Sequence, residues 1–473
     1  MASSRDDAPD APDGPGGTAT PGVRSPRVAV IGAGPSGIFA AQALVSRSDA
    51  RVDVYDRLPA PYGLLRYGVA PDHTSIKGVA TALARVFDDD RVSFVGMVEL
   101  GVDVTAGELL EAYDAVIYAA GASEDQRMRI PGEDLPGSRS AREVVAWYSG
   151  HPDAVTQSFA GVTTAVMVGV GNVAVDVARI LLKTASQLAS TDMPTDVLAE
   201  LRDHHITDVW VVGRRGPHHA SFTTVELREL LAIPGVQPIV HPGAFDGIDE
   251  AGLDRRTRGN VEALREAAGR AVDDARARLH LLFWHRPVRV AGDGRVESIV
   301  LEPTRVDESG RVVAAGPERA LHCELVLRAI GYRGKPLPEL PFDDERGVVP
   351  NEGGRVTDLA GRVLPGHYVV GWIKRGPMGV IGTNKSDAVQ TVEHLLADVA
   401  VAPPRPLREV AELWAAKGMR PTSFDDWRRI DAAEAAQGEE EGRQRSKIAA
   451  WTELIEIAHT GRPGGPPTPG DQP

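Results

Sequence analysis

Apolar and polar positions along this chain repeat one theme: a short apolar run that ends in glycines, followed by a helical stretch. The first instance is Val28-Ala29-Val30-Ile31, behind Arg27, which predicts a strand. It runs into Gly32-Ala33-Gly34-Pro35-Ser36-Gly37, and Ile38 to Val45 predicts the helix beyond. A second strand, Arg51 to Tyr55, ends in Asp56. Further on, the pattern predicts a helix over Ser75 to Phe87 and a strand over Val92 to Val98. A buried strand over Tyr113 to Tyr118 then turns at Ala119-Ala120-Gly121, as strands that complete a parallel sheet do.

The theme returns in a second unit. Ala165 to Val168 predicts a strand, Gly169-Val170-Gly171-Asn172-Val173-Ala174 the turn, and Val175 to Lys183 the helix. The next strand, Asp208 to Val212 with Gly213, carries Arg214-Arg215-Gly216 where the first unit has its carboxylate. Thr184 to Asp203, polar and containing a proline, predicts an insertion between helix and strand. A helix over Thr223 to Leu231 and a charged helix over Gly259 to Ala277 are expected. Antiparallel strands follow over Leu281 to Glu302 and Arg311 to Arg319, with polar turns at Gly292-Asp293-Gly294 and Ser309-Gly310. Glu324 to Gly331 repeats the strand-into-glycine pattern and predicts the return to the first unit. A strand over His367 to Val370 leads into Gly371 to Ser386, with a helix from about Asn384, and helices follow Pro403. In the last of these, Ile448, Trp451, Leu454 and Ile455 are expected on one apolar face.

Alternating strands and helices predict an α/β fold with parallel sheets, and 473 residues suffice for two or more domains. A formal net charge of −14 argues against a nucleic-acid binder, which needs a basic face. The single cysteine, Cys323, excludes an internal disulfide, a CxxC redox pair and a metal or iron–sulfur cage. Thioredoxin-reductase-like chemistry is excluded with them, and a buried structural thiol is expected. Residues 1–25 and 461–473, rich in Pro and Gly, predict disordered tails without a signal peptide. No apolar run approaches the ~20 residues of a membrane span, so a cytoplasmic protein is expected.

The glycine turns carry the candidate chemistry. In a dinucleotide fold Gly32 permits the tight turn, Gly34 lets backbone approach a pyrophosphate, and Gly37 lets helix and strand pack closely. Asp56, about 20 residues on, is placed to accept from a ribose hydroxyl. Paired guanidiniums at Arg214 and Arg215 suit the 2′-phosphate of NADP rather than NAD. Residues 59–73 hold three prolines and two glycines yet are apolar and aromatic, which predicts an ordered loop packed against a cofactor. His73 in that loop is a candidate for proton transfer. Glu226 and Glu229 share one helix face just after the arginine pair. Helix-start N–H groups near Asn384 favour negative charge, as on the pyrimidine end of a reduced flavin. The pairs His204-His205 and His218-His219 lack a third ligand at a zinc-like spacing, so no metal site is expected.

Four motifs make the chain resemble the adrenodoxin-reductase type of ferredoxin–NADP⁺ reductase, bacterial members above all. They are PYGLLRYGVAPDH (61–73), VGVGNVAVDVARI (168–180), GRRGPHHASFTTVELREL (213–230) and GWIKRGPMGVIGTNKSDA (371–388). The resemblance covers about residues 27 to 458 and implies two interleaved, doubly wound Rossmann-like domains. It places an FAD domain at 26–125 and 339–460, around an NADP domain at 126–338. FAD contacts are then implied at Gly37, Asp56, Leu64, Val98, Trp372, Gly379, Val380 and Ile381, beside Gly32 and Gly34. NADP contacts are implied at Arg127, Val170, Gly171, Asn172, Val173, Arg214, Arg215 and Glu226, with Gly379 near the nicotinamide. His73 and Glu229 look like the pair that tunes hydride and proton movement. The sequence departs from the family at Asp56, usually Glu, at Gly37, often Ala, and at Val170, often Asn.

The activity implied is hydride transfer between NADPH and FAD, coupled to one-electron transfers with an iron–sulfur ferredoxin. Arg66, Lys77, Lys374 and Arg375 are candidates for docking that acidic partner. A monomer is expected, with neither nucleic acid nor membrane as partner. Two alternatives stand beside this: another NADPH-dependent flavoprotein (oxidase, monooxygenase or electron-input subunit), and a non-enzymatic dinucleotide-binding module.

Overall fold

The computed structural model describes residues 24–379, 381–403 and 405–460, so the 461–473 tail, most of the N-terminal tail and Val380 lie outside the described residues. Arg24 and Ser25 are held in place, by Asp114 (2.6 Å) and Asp49 (2.7 Å) respectively. The first glycine turn joins β1 (Arg27–Ile31) to α1 (Pro35–Arg47), which returns to β2 (Arg51–Asp56). Val28 and Val30 enter one apolar cluster while Ala29 and Ile31 enter another. A strand apolar at every position therefore lies in a sheet covered on both faces. That sheet has seven strands in the order 351–352, 355–357, 363–369, 115–118, β1, β2, 92–96. Strands from distant parts of the chain thus share one sheet, parallel from 363–369 to 92–96.

The segment between them builds a second sheet of six parallel strands. Its order is 138–140, 325–328, β3 (Thr164–Val168), β4 (Asp208–Val212), 277–282, 236–240. Between β3 and β4 runs α2 (Asn172–Leu182), and α3 (Thr224–Leu231) follows β4. Ala165, Met167, Val209 and Val211 face the helices, while Val166, Val168 and Val212 face a four-stranded antiparallel sheet formed by residues 285–322. Where the chain crosses between the units, 124–125 and 332–333 pair as a two-stranded ribbon. The stretch from Gly171 to Arg214 is about twice the usual ~20 residues of such a unit, and its insertion is filled by two helices, Ala185–Leu188 and Thr195–Asp203. That insertion is held by the C-terminal segment: Thr195 donates to Glu441 (2.6 Å), and Lys447 N–H donates to the Asp192 carbonyl (3.1 Å).

Four local expectations change. The charged helix spans Arg255–Ala268, because Gly269 caps it and the strand begins at Ala277. Leu281 and Leu282 belong to that parallel strand, so the antiparallel sheet starts at His285. The 59–73 loop is apolar chiefly because Ala60, Tyr62, Leu65 and Tyr67 enter the protein core, and it includes one helical turn, Leu64–Tyr67. In the last helix Ile457 and Ala458 take the place expected of Ile455 on the apolar face. Cys323 is fully buried, and burial pushes its thiol up to about 12.

His151 links stability to pH. Its ring packs against Tyr67 at 4.9 Å, Nδ1 accepts from the Asp153 N–H (3.1 Å), and burial pushes it down to about 4. Between about pH 6.5 and that value the unfolded chain binds a proton that the folded chain refuses. This contribution is complete above the unfolded pKa and is lost as pH falls through the window. Chemical denaturation at pH 7, 5.5 and 4.5 should show a loss of about 2 kcal/mol from this group, after allowance for partial exposure. His151→Asn should flatten that part of the profile.

Candidate functional site

The two glycine turns are built alike. Gly32 (φ +112°) and Gly169 (φ +130°) each end a strand with positive φ, and a Cβ on either would run into the carbonyl of Ala119 or Ala329. These are the residues that close the neighbouring strands, so each turn is pressed against its sheet. A Cβ on Gly37 would run into the Gly32 carbonyl, whereas the equivalent position in the second turn is the buried Ala174. Gly34 is different. A Cβ there would meet only the Gly63 Cα, at 3.9 Å, so nothing among the described residues demands glycine. The space in front of it suits backbone approach by a ligand.

That space lies at the start of α1, which has Pro35 in its first turn and no side-chain cap. Its first N–H groups and the positive end of its dipole are therefore available to an anion. Two further segments converge there. Gly63 abuts Gly34, and Gly371 (φ +75°) sits so close to Ser36 that a Cβ would strike its hydroxyl. Asp56 accepts from the N–H groups of Ala33 (2.9 Å) and Leu58 (3.0 Å), which ties the end of β2 to the turn. Burial pushes its carboxyl up, opposed by those two bonds. Each oxygen keeps a lone pair for a hydroxyl donor. Val98 is core, its N–H on the Asp56 carbonyl (3.0 Å), while Leu64 is an exposed apolar residue at 42%. Trp372 stacks on Tyr332 (6.0 Å), and Gly379 (φ +89°) is exposed. The helix expected from about Asn384 begins at Ile381.

In the second turn α2 also starts without a side-chain cap. Asn172 accepts from the Thr223 N–H (2.8 Å), and the Val170 carbonyl accepts from Ser221 N–H (2.9 Å), so this turn is clamped to the start of α3. Gly171 lies beside Ser221, and Val173 packs at the edge of the core. Arg214 is exposed and Arg215 half-buried at the end of β4, and among the described residues neither pairs with a carboxylate. The Nε of Arg215 and Oε2 of Glu226 are buried without a hydrogen-bond partner among the described residues. Buried polar atoms are ordinarily satisfied, so an orphaned guanidinium nitrogen beside an open helix start fits a bound anion. Arg127 is exposed and engaged by Asp134 (2.6 Å) and Glu133 (3.4 Å).

His73 and Glu229, 156 positions apart in sequence, come within 3.8 Å (Nδ1 to Oε2). A cluster that sequence reasoning missed surrounds them. His73 Nε2 lies 3.0 Å from Asp176 Oδ1, and the fully buried Arg179 forks onto Asp72 (2.7 and 2.8 Å). Lys183 also reaches Asp72, at 2.6 Å. Hydrogen bonding to Asp176 raises the His73 pKa against burial, and Arg179 holds Asp72 well below the usual carboxylate range. The missed signal was polar residues at 172, 176, 179 and 183, one stripe of an otherwise apolar helix.

The docking cations are corrected. Arg66 is buried on Glu434 (3.0 Å), and Lys374 is buried on Asp387 (2.8 Å). Arg375 is held by Asp387 (3.1 Å) and Asn384 (2.6 Å), and the side chain of Lys77 lies outside the described residues. Three of the four are internal struts.

Comparison with known proteins agrees with this geometry. A family model described as pyridine nucleotide-disulphide oxidoreductase matches residues 26–380. The chain is 43% identical to NADPH-ferredoxin reductase FprA of Mycobacterium tuberculosis, over 91% of this chain and 98% of that one. It is 40% identical to the human mitochondrial NADPH:adrenodoxin oxidoreductase, over 92% of each. A solved structure of the M. tuberculosis FprA in complex with NADPH superposes with a TM-score of 0.87, covering 92% of this chain and all of that one. No helix among the described residues is long and apolar enough to cross a membrane.

Proposed function

The chain belongs to the pyridine nucleotide-disulphide oxidoreductase family, with the ferredoxin and adrenodoxin reductases as relatives, and from that premise we propose that it is an FAD-containing ferredoxin–NADP⁺ reductase. The observation that carries the reading is the pair of uncapped helix starts with unlike neighbours. One has a carboxylate at the end of the next strand, and the other an arginine pair with an orphaned nitrogen. When bound, FAD supplies two-electron exchange with a nicotinamide and one-electron exchange with an iron–sulfur centre.

Residues 26–125 and 339–460 would hold FAD, and 126–338 NADP. The start of α1 with Gly32, Gly34 and Gly37 receives the flavin pyrophosphate, and Asp56 a ribose hydroxyl. Leu64, Val98, Trp372 and Gly379 would line the rest of that pocket, while Val380 and the side chain of Ile381, implied beside them, lie outside the described residues. At the second turn Val170 to Val173 receive the other pyrophosphate, and Arg214 and Arg215 clamp the 2′-phosphate. Glu226 and Arg127 flank it. His73 holds a proton at the junction, with Glu229 facing its Nδ1. The protein partner is a ferredoxin, the enzyme a cytoplasmic monomer.

NADPH-driven cytochrome c reduction, with and without added ferredoxin and with oxygen uptake followed, tests this reading. Strong ferredoxin dependence with little oxygen uptake is expected. Rapid oxygen consumption indifferent to ferredoxin would make the enzyme an oxidase or monooxygenase instead.

A further inference from the structure

His73 Nε2 faces two groups that cannot both be served. Arg179 Nη2 lies 2.9 Å away and Asp176 Oδ1 3.0 Å away. A guanidinium only donates and a carboxylate only accepts, so the first needs a lone pair on Nε2 and the second a proton there. Both competitors sit on α2, one turn apart, and they are themselves joined by Arg179 Nη1 to Asp176 at 2.9 Å. On the other side of the ring Nδ1 faces the Glu229 carboxylate of α3 at 3.8 Å. A lone pair on Nδ1 would point at negative charge, and a proton there would not. Arg179 and Glu229 therefore favour the same tautomer, and among the described residues Asp176 alone opposes it.

We propose that Arg179 is a positioning residue that decides which ring nitrogen of His73 carries the proton, holding it on Nδ1, toward Glu229. The assignment stands on the geometry, and it rests on the function proposed above only for its bearing on turnover. Arg179 is suited to the role because it cannot move. It is fully buried, and its Nε and Nη2 are forked onto both oxygens of Asp72, whose carboxylate Lys183 holds from the other side. Asp72 is the residue next to His73, so the fork that fixes the guanidinium also fixes the loop that bears the imidazole. Asn172, Asp176, Arg179 and Lys183 lie along one stripe of α2. The same helix thus offers its start to a dinucleotide and grips the flavin-side loop with its flank.

The tautomer is read directly, without turnover, from long-range ¹H–¹⁵N NMR of the flavin-loaded full chain labelled with ¹⁵N-histidine. Spectra are taken above the His73 titration, and the resonance is assigned by its loss in His73→Gln. In the wild type Nδ1 should report as protonated and Nε2 as a lone-pair nitrogen. Arg179→Lys, which keeps charge but loses the rigid planar fork that fixes a donor on Nε2 while gripping both oxygens of Asp72, should move most of the population to the Nε2–H form, bonded to Asp176. Asp176→Ala removes the one competing acceptor among the described residues and should keep the proton on Nδ1. A wild type protonated on Nε2 overturns the proposal even if Arg179→Lys fails to fold, and so does a folded Arg179→Lys with unchanged tautomer populations. Neither outcome bears on ferredoxin dependence, so the two readings fail separately.

Discussion

Replacing Arg214 and Arg215 together by alanine is expected to raise KM for NADPH by about two to three orders of magnitude, leaving NADH within about threefold. A charge-assisted hydrogen bond contributes about 1.5–3 kcal/mol, and each 1.4 kcal/mol is tenfold in affinity. The two guanidiniums act on a phosphate that NADH lacks, so the loss falls on one coenzyme. Among the described residues neither arginine pairs with a carboxylate, and Arg215 Nε has no hydrogen-bond partner. Removing them therefore leaves no buried counter-charge behind, and the variant should unfold within about 1 kcal/mol of the parent. Steady-state kinetics with both coenzymes measure the ratio. An unchanged NADPH/NADH preference would mean that the pair is ordinary surface charge and that coenzyme selection lies elsewhere.

That pair was legible in the sequence because a dinucleotide turn is a local device. Gly32 and Gly169 need positive φ, the strand before each is short, and the residue that matters next sits at the following strand end. Spacing alone was misleading only where the 184–203 insertion intervenes, and its proline and polar residues marked it. Long-range burial was not legible. Arg66 stands in a motif full of glycine and tyrosine, and nothing local says that Glu434 comes from 368 positions away to meet it, while Lys374 and its partner Asp387 share one motif whose folding onto itself no periodicity reveals. The Asp72–Arg179 fork was missed for the same reason, since its partners are 107 positions apart. Exposure is a tertiary property, and a cation in a flavin-side loop reads alike whether it greets a partner or props the core.

Arg66 gives the sharpest test of that distinction. Its guanidinium is buried against Glu434, between the rings of Tyr67 (4.9 Å) and Trp427 (4.8 Å), and its carbonyl accepts from Lys447 Nζ at 2.6 Å. Glu434 is fully buried and also accepts from the Ile448 N–H (3.1 Å) and from Arg445 (3.0 Å). Arg66→Ala leaves that carboxylate short of its principal cation and opens a cavity between two aromatic rings. The expected cost is about 3–5 kcal/mol, which lowers the midpoint of thermal unfolding by about 5–10 °C. Arg66→Met with Glu434→Met should recover most of the loss, because the uncompensated charge goes with its partner and Arg445 keeps Asp431 at 2.8 Å. A docking cation behaves in the opposite way: its removal slows association at low salt, the effect vanishes at high salt, and the melting point stays put. Calorimetry of the flavin-loaded variants, paired with ferredoxin titrations at low and high ionic strength, separates the two. A stable Arg66→Ala whose ferredoxin binding weakens only at low salt would put Arg66 on the docking surface after all.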